Sequence, residues 1–324
     1  MHLLHGRRRL LLGALLPVIV LLASRDSAPI VPVPASARVD PAQVALGERL
    51  FHDVRLSGPR TYSCASCHPL ERGGMDGRPV AQRIDGTPHT RNTPTVFNVG
   101  LNASFNWDGS QPSLEAHARA TLPGLLDTSW EEVVARLEAD DGYRSAFAAA
   151  FRDGVTPANV TRTLAAFQRS LLTPNAPFDR YLAGDGKAIT ERQKEGYELF
   201  RRYGCAACHQ GVNAGGNMFQ RFGVFEDVEA DRPGPIDPGR LLVTGEPRDA
   251  RVFRVPGLRN VAITAPYFHD GHAATLEEAV STMGRAQLGR RLPREELALL
   301  VEFLQTLTGE YRGRSLAAAR NDPG

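Results

Sequence analysis

The chain is 324 residues long, room for two domains of ordinary size. Its 38 basic and 36 acidic residues leave a net charge of +2, which excludes the strong basic field of a nucleic-acid or anionic-membrane binder. A hydrophobic content of 42% is ordinary for a globular protein with a core in each half, while 31 glycines and 23 prolines point to short helices joined by long ordered loops.

Residues 1–37 read as an export signal or an N-terminal anchor. Arg7, Arg8 and Arg9 precede an apolar run, Leu10 to Ala23, that is short for a membrane span and is interrupted by Pro17. Ala35-Ser36-Ala37 offers a cleavage site, with Ala23 and Ala28 as alternatives. Either reading puts the body of the protein outside the cytoplasm, in the periplasm.

Pro41 to His52 carries Val44, Leu46, Leu50 and Phe51 at helical spacing and leads to Cys64-Ala65-Ser66-Cys67-His68. The same pattern returns as Cys205-Ala206-Ala207-Cys208-His209. C-x-x-C-H is the attachment signature of c-type haem, in which the cysteines form thioethers and the histidine ligates the iron. The two copies use all four cysteines and leave none for a disulfide or a Cys₄ zinc site. Each follows a similar lead-in, Leu46-Gly47-Glu48-Arg49-Leu50-Phe51 and Glu195-Gly196-Tyr197-Glu198-Leu199-Phe200, so a haem-bearing unit is repeated. The chain is expected to carry two covalent haems.

After His68 the run through Gly73, Gly74, Gly77, Pro79, Gly86 and Pro88 predicts a loop over a haem face, with His89 in it. Thr93 to Asp108 is mixed and aromatic. Ser113 then caps a helix with Leu114, Ala118 and Leu122 on one face. Helices are expected over Trp130–Leu137, Tyr143–Phe151 and Asn159–Leu172, and Thr173 to Pro177 reads as a linker. This divides the chain into a first domain at 38–175 and a second at 176–313. In the second, helices are expected at Thr190–Tyr203, Leu276–Met283 and Arg294–Thr306, with ordered loops between and a flexible tail at 314–324. No strand-rich stretch appears, so the fold class is mainly α.

A haem held by one histidine is defined by what faces its other side. A methionine there raises the potential and suits electron transfer, whereas an open face suits peroxide chemistry. Beyond Met1, the methionines are Met75, Met218 and Met283. A methionine is more often a core residue than a ligand, and the residues alone leave Met283 open between the two. For the first haem the candidate distal groups are His89 and His117, with Glu115 and Asp127 as nearby acids able to relay a proton.

Over most of residues 40–310 the sequence resembles the bacterial di-haem cytochrome c peroxidases and their MauG-like relatives. The matching blocks are Leu46 to Phe51, Ser63 to His68, Arg91-Asn92-Thr93-Pro94-Thr95, Phe105 to Gly109, Pro177 to Leu182, Gly204 to Gly211 and Val255 to Gly271. Leu276 to Val280 with Met283, and Gln287-Leu288-Gly289, complete the series. The resemblance implies two cytochrome c-like domains facing each other, with a low-potential peroxidatic haem on His68 and a high-potential, electron-accepting haem on His209. It implies Met283 as the second ligand of the latter; MauG-like enzymes typically have Tyr there, so Met283 favours the peroxidase branch. It also implies Trp107 between the haems, and a calcium ion held by Asn92 with the carbonyls of Thr264 and Pro266.

Two departures stand out. The family's first-loop histidine, which ligates the peroxidatic haem at rest, has Ile84 in its place, with His89 further on. The family's distal Gln and Glu fall at His117 and near Asp127; counted back from Val133-Val134, the acid instead falls near Leu125. The expected activity is reduction of hydrogen peroxide with electrons from a small cytochrome c or cupredoxin, and a homodimer is an assembly left open. A MauG-like oxidase acting on a partner protein, and a non-enzymatic di-haem electron carrier, are the rival readings.

Overall fold

The computed structural model describes residues 28–319 apart from 231, 233 and 234. The apolar run Leu10 to Ala23, read above as part of an export signal or anchor, lies outside the described residues. In the first half, α1 (Pro41–Phe51), the single turn α2 (Cys64–Cys67), α3 (Leu114–Leu125), α4 (Trp130–Glu138), α5 (Asp141–Ala150) and α6 (Pro157–Ser170) follow one another. The second half contains α7 (Pro177–Leu182), α8 (Glu191–Arg202), α9 (Leu241–Thr244), α10 (Leu276–Leu288) and α11 (Arg294–Gln305). Two short antiparallel pairs supply the strands: β1 (Phe219–Arg221) with β2 (Val252–Arg254), and β3 (Glu310–Tyr311) with β4 (Arg314–Ser315), after which α12 (Leu316–Ala319) ends the described chain. The fold is mainly α.

The helices start where side chains satisfy their first N–H groups. Asp40 accepts from the Ala42 N–H ahead of α1, with Pro41 in the first turn, and Ser113 accepts from Ala116 ahead of α3. Reciprocal capping boxes open α4 (Ser129, Glu132), α8 (Thr190, Gln193) and α10 (Thr275, Glu278).

The sequence repeat has a packing cause. Helix α1 lies on α6, and α8 lies on α11. Gly47 sits so close to α6 that an added Cβ would overlap the Thr163 carbonyl and crowd the Phe167 Cβ; Gly196 stands in the same relation to Leu299 and Phe303. Leu50 and Phe51 enter one hydrophobic core, with Phe167 5.2 Å from Phe51, and Leu199 and Phe200 enter a second, with Phe303 5.2 Å from Phe200. Full burial of each such aromatic contributes roughly 1.5–3 kcal/mol. A buried network joins the halves: Asn98 Nδ2 donates to Thr173 Oγ1 (2.6 Å), and Asn260 Nδ2 donates to the same hydroxyl (3.0 Å).

Both ends of the described chain are tied down. The Gly211 N–H donates to the Pro29 carbonyl (2.7 Å) and Val31 N–H to the Gly211 carbonyl (3.2 Å), while Ile30 is fully buried in the second core. At the other end, residues 314–319 are not a loose tail. Leu316 is buried in the first core and Tyr311 stacks edge-on to Phe97 at 5.0 Å, so the chain returns to the half it started from. No helix among the described residues is long and apolar enough to cross a membrane.

Candidate functional site

Ser63 and Ser66 form a capping box that holds Cys64 to Cys67 in one helical turn, and the His68 N–H closes it on the Cys64 carbonyl (2.9 Å). Gly73 and Gly74, at φ +80° and +71°, then turn the chain so that the Gly74 carbonyl comes 3.1 Å from His68 Nδ1. With Nδ1–H donating there, Nε2 keeps its lone pair for a metal, the arrangement by which a second partner orients a ligating histidine. The second motif closes in the same way, His209 N–H to the Cys205 carbonyl at 2.9 Å. Burial pushes the His209 ring down to about 4, against the opposite pull of the Ala214 and Pro256 carbonyls.

All four cysteines are free. Burial pushes the Cys64 thiol up to about 12 and the Cys205 thiol up to about 11. Thiolate metal sites and redox-active pairs need the opposite, a lowered thiol pKa. Two unbridged cysteines beside a half-buried histidine, present twice, fit covalent c-type haem.

His117, on α3, lies within electrostatic reach of His68: its ring is driven down to about 4 by burial and, after that, by the charge of His68. Its Nδ1 lies 3.5 Å from Thr121 Oγ1. The other distal candidates are placed differently. Glu115 is held in a two-point ion pair with Arg169 (2.7 and 2.9 Å); burial would raise its carboxyl, but Arg169 outweighs this and holds it below the usual range. Asp127 is exposed at the end of α3, in a left-handed conformation at φ +47°. His89 sits in a small hairpin, its N–H on the Ala81 carbonyl (2.7 Å) and its Nδ1 accepting from the Arg91 N–H (3.2 Å). Burial lowers its pKa, and Arg83 and Arg91 lower it further. Ile84, in the same hairpin, packs against the first core.

Trp107 stands on a turn flanked by Asn106 (φ +63°) and Gly109 (φ +68°) and reaches across to the second half. There it packs in one apolar cluster with Phe222, Phe253, Phe268 and Met283 of α10. Its indole N–H donates to the Asn92 carbonyl (2.9 Å). Asn92 is itself buried, its N–H on the His269 carbonyl (2.7 Å) and its Nδ2 on the Arg78 carbonyl (2.8 Å), which leaves Oδ1 as its free acceptor. The segment carrying Thr264 and Pro266 leads directly into His269.

Sequence reasoning missed the ionic frame around this turn. Arg91 binds Asp108 (2.6 Å) and Asp237 (2.6 Å), clasping the two halves together. His269 stacks on Phe253 at 4.2 Å and contacts Glu229 through Nε2 at 3.1 Å. Glu229, His269 and Asp270 bring potential metal-ligating atoms within 4.8 Å of one another, but Arg251 and Arg232 already pair with the two acids at 2.9 and 2.6 Å. Charge balance there is met without a cation. The signal available in the sequence was the position of Arg91 and Asp108 inside two of the matching blocks.

Comparison with known proteins agrees with this construction. The family profile described as di-haem cytochrome c peroxidase matches residues 41–187. The chain is 41% identical to cytochrome c peroxidase Ccp of Escherichia coli K12 over 89% of its own length, and spans 64% of that relative. With cytochrome c551 peroxidase of Nitrosomonas europaea it shares 39% identity over 92% of this chain and 89% of that one. The crystal structure of a MauG-like protein associated with microbial copper homeostasis superposes with a TM-score of 0.74 at 31% identity, over 89% of this chain and 95% of the other. With two haem-attachment motifs on a repeated helical unit, and these relatives along nearly its whole length, the chain belongs to the di-haem cytochrome c peroxidase family.

Proposed function

We propose that the protein is an exported peroxidase that reduces hydrogen peroxide to water with electrons from a small cytochrome c or cupredoxin. The observation that carries this reading is a pairing of neighbourhoods: His117 lies within electrostatic reach of His68, while Trp107 shares an apolar cluster with Met283. Bound haem supplies redox-active iron at each attachment motif, tethered by Cys64 and Cys67 with His68 as ligand, and by Cys205 and Cys208 with His209 and Met283 as ligands.

The rest is the work of side chains. Each peroxide consumes two electrons and two protons. His117 is neutral down to a pH of about 4, so it can take a proton from the near peroxide oxygen and return it to the departing one. Thr121 beside Nδ1 fixes the ring, and Arg169 keeps Glu115 ionised and out of the relay. Trp107 passes electrons from the Met283 side to the His68 side, its indole held by the Asn92 carbonyl. Asn92 Oδ1, with the Thr264 and Pro266 carbonyls, offers the hard oxygen ligands that calcium prefers, and such an ion would brace the segment on which Trp107 rests.

Ile84 and His117 depart from the peroxidase pattern and favour a second reading, a MauG-like oxidase that modifies a partner protein. Stopped-flow mixing of hydrogen peroxide and reduced cytochrome c with the holoenzyme separates the two. Peroxide-dependent oxidation of the donor is expected. Its absence from both the resting and the pre-reduced enzyme would reject the peroxidase reading, and a mass shift on a co-encoded partner protein would select the oxidase.

A further inference from the structure

Arg254 and Arg259 are the two arginines among the described residues that are fully buried, at 5% and 2% exposure. Arg259 has what a buried cation needs: Asp179 at 2.7 Å, with the Val212 and Val31 carbonyls filling its other donors. Arg254 has no carboxylate. Its guanidinium makes one hydrogen bond, from Nε to the Asn106 carbonyl (3.2 Å). Burial alone acts on its charge, lowering its pKa to about 10, so it remains a cation at neutral pH. A buried guanidinium with no counter-charge is a costly arrangement, and folded proteins keep one where an anion completes it.

None of the neighbouring acids is free to do so. Asp108 and Asp237 are engaged by Arg91, and Glu229 by Arg251 and His269. Arg240, a further cation near this turn, lies over the Phe219 ring and donates to the Asp108 carbonyl. The position of Arg254 shows where the missing anion belongs. It ends β2, its own N–H donates to the Trp107 carbonyl (2.7 Å), and the Pro256 carbonyl two residues on acts on the ring of His209. The cation therefore stands between the turn that carries Trp107 and the second haem motif. Haem brings two carboxylates of its own, and the guanidinium fork matches a carboxylate in two-point geometry.

We propose that Arg254 receives a haem propionate at the junction of the two halves and raises the reduction potential of the haem that supplies it. This rests on the di-haem reading. Either haem could contribute the carboxylate, and the recognition chemistry is the same. A fixed positive charge disfavours the oxidised, more positive iron, so its removal lowers the potential of the paired haem.

The test compares holoprotein with Arg254→Gln, Arg254→Met and Arg254→Lys. Pyridine haemochrome counts haems first; a wild-type value other than two per chain would overturn the di-haem reading itself. Spectroelectrochemical titration then reads each haem separately. Arg254→Gln is expected to lower the midpoint potential of one haem and leave the other unchanged, with Arg254→Lys restoring most of the shift. A shift of the Met283-ligated haem assigns the propionate to the His209 site, and a shift of the other assigns it to the His68 site. Where the Gln variant fails to load, Arg254→Met carries the same expectation, because an apolar chain fills the space without leaving donors unpaired. Two haems with both potentials unchanged in a neutral variant overturn the proposal, and lower thermal stability without a potential shift would mean that Arg254 merely clamps the Trp107 turn.

Discussion

His117 concentrates the residue-scale chemistry. A neutral imidazole near His68 can accept a proton, and an imidazolium cannot. Replacing His117 with Ala is expected to slow peroxide-dependent turnover by roughly 10²–10⁴-fold, the usual worth of a positioned acid–base group, while haem content stays constant. Asp127→Asn, at an exposed position, is expected to leave the rate within about a factor of two of wild type, well inside that range. The pH profile follows from the sign of the shift: the rate constant is expected to stay level from neutral pH downward and to fall as pH drops through about 4, where the ring protonates. Equal losses in the two variants, read by stopped-flow spectroscopy, would remove His117 from the relay. Sequence order alone could not separate these residues, because Glu115, His117 and Asp127 lie within a dozen positions of one another. The ion pair with Arg169, the exposure of Asp127 and the partial burial of His117 are three-dimensional facts.

At the scale of elements, the repeated glycine matters most. Gly47 and Gly196 let α1 meet α6, and α8 meet α11, at backbone distance. Gly47→Ala and Gly196→Ala are each expected to cost about 1–3 kcal/mol of unfolding free energy through overpacking, even though alanine is the better helix former. Denaturant midpoints check this, and a midpoint unchanged in both variants would mean that the helix pairs can slide apart without loss. Most helices were legible from apolar spacing and caps: Thr190–Tyr203 was expected and Glu191–Arg202 is found. Helix α10 runs on to Leu288, past Met283, because Gly284 packs against Leu292 inside it and the left-handed stop comes at Gly289. Helix α7 starts at the end of the expected linker; six residues are too few to show a period, and Pro177 reads as a breaker although it occupies the first turn of the helix. The hairpin that carries Ile84 and His89 is built on backbone hydrogen bonds that leave no mark in side-chain pattern.

For the molecule as a whole, the account turns on asymmetry between two similar units. Both have a lead-in helix with a packing glycine and a C-x-x-C-H turn, and this symmetry was readable from the sequence. What breaks it lies in contacts between the halves: Trp107 inserted into the cluster of Met283, Arg91 clasping Asp108 and Asp237, Thr173 bonded to both Asn98 and Asn260, and Leu316 returned to the first core. Long-range pairings of this kind cannot be read from local spacing, which is why the ionic frame and the tied-down ends emerged only in three dimensions. Ile84, partly buried against the first core, stands at the place of the family's ligating histidine; in the proposed reading the His68 site is therefore open on its far side, and Met283 closes the other. The most direct test is electron paramagnetic resonance of the resting, fully oxidised holoenzyme. The account predicts one high-spin ferric signal from the His68 site together with one low-spin signal from a His–Met pair; two low-spin signals of equal weight would contradict it.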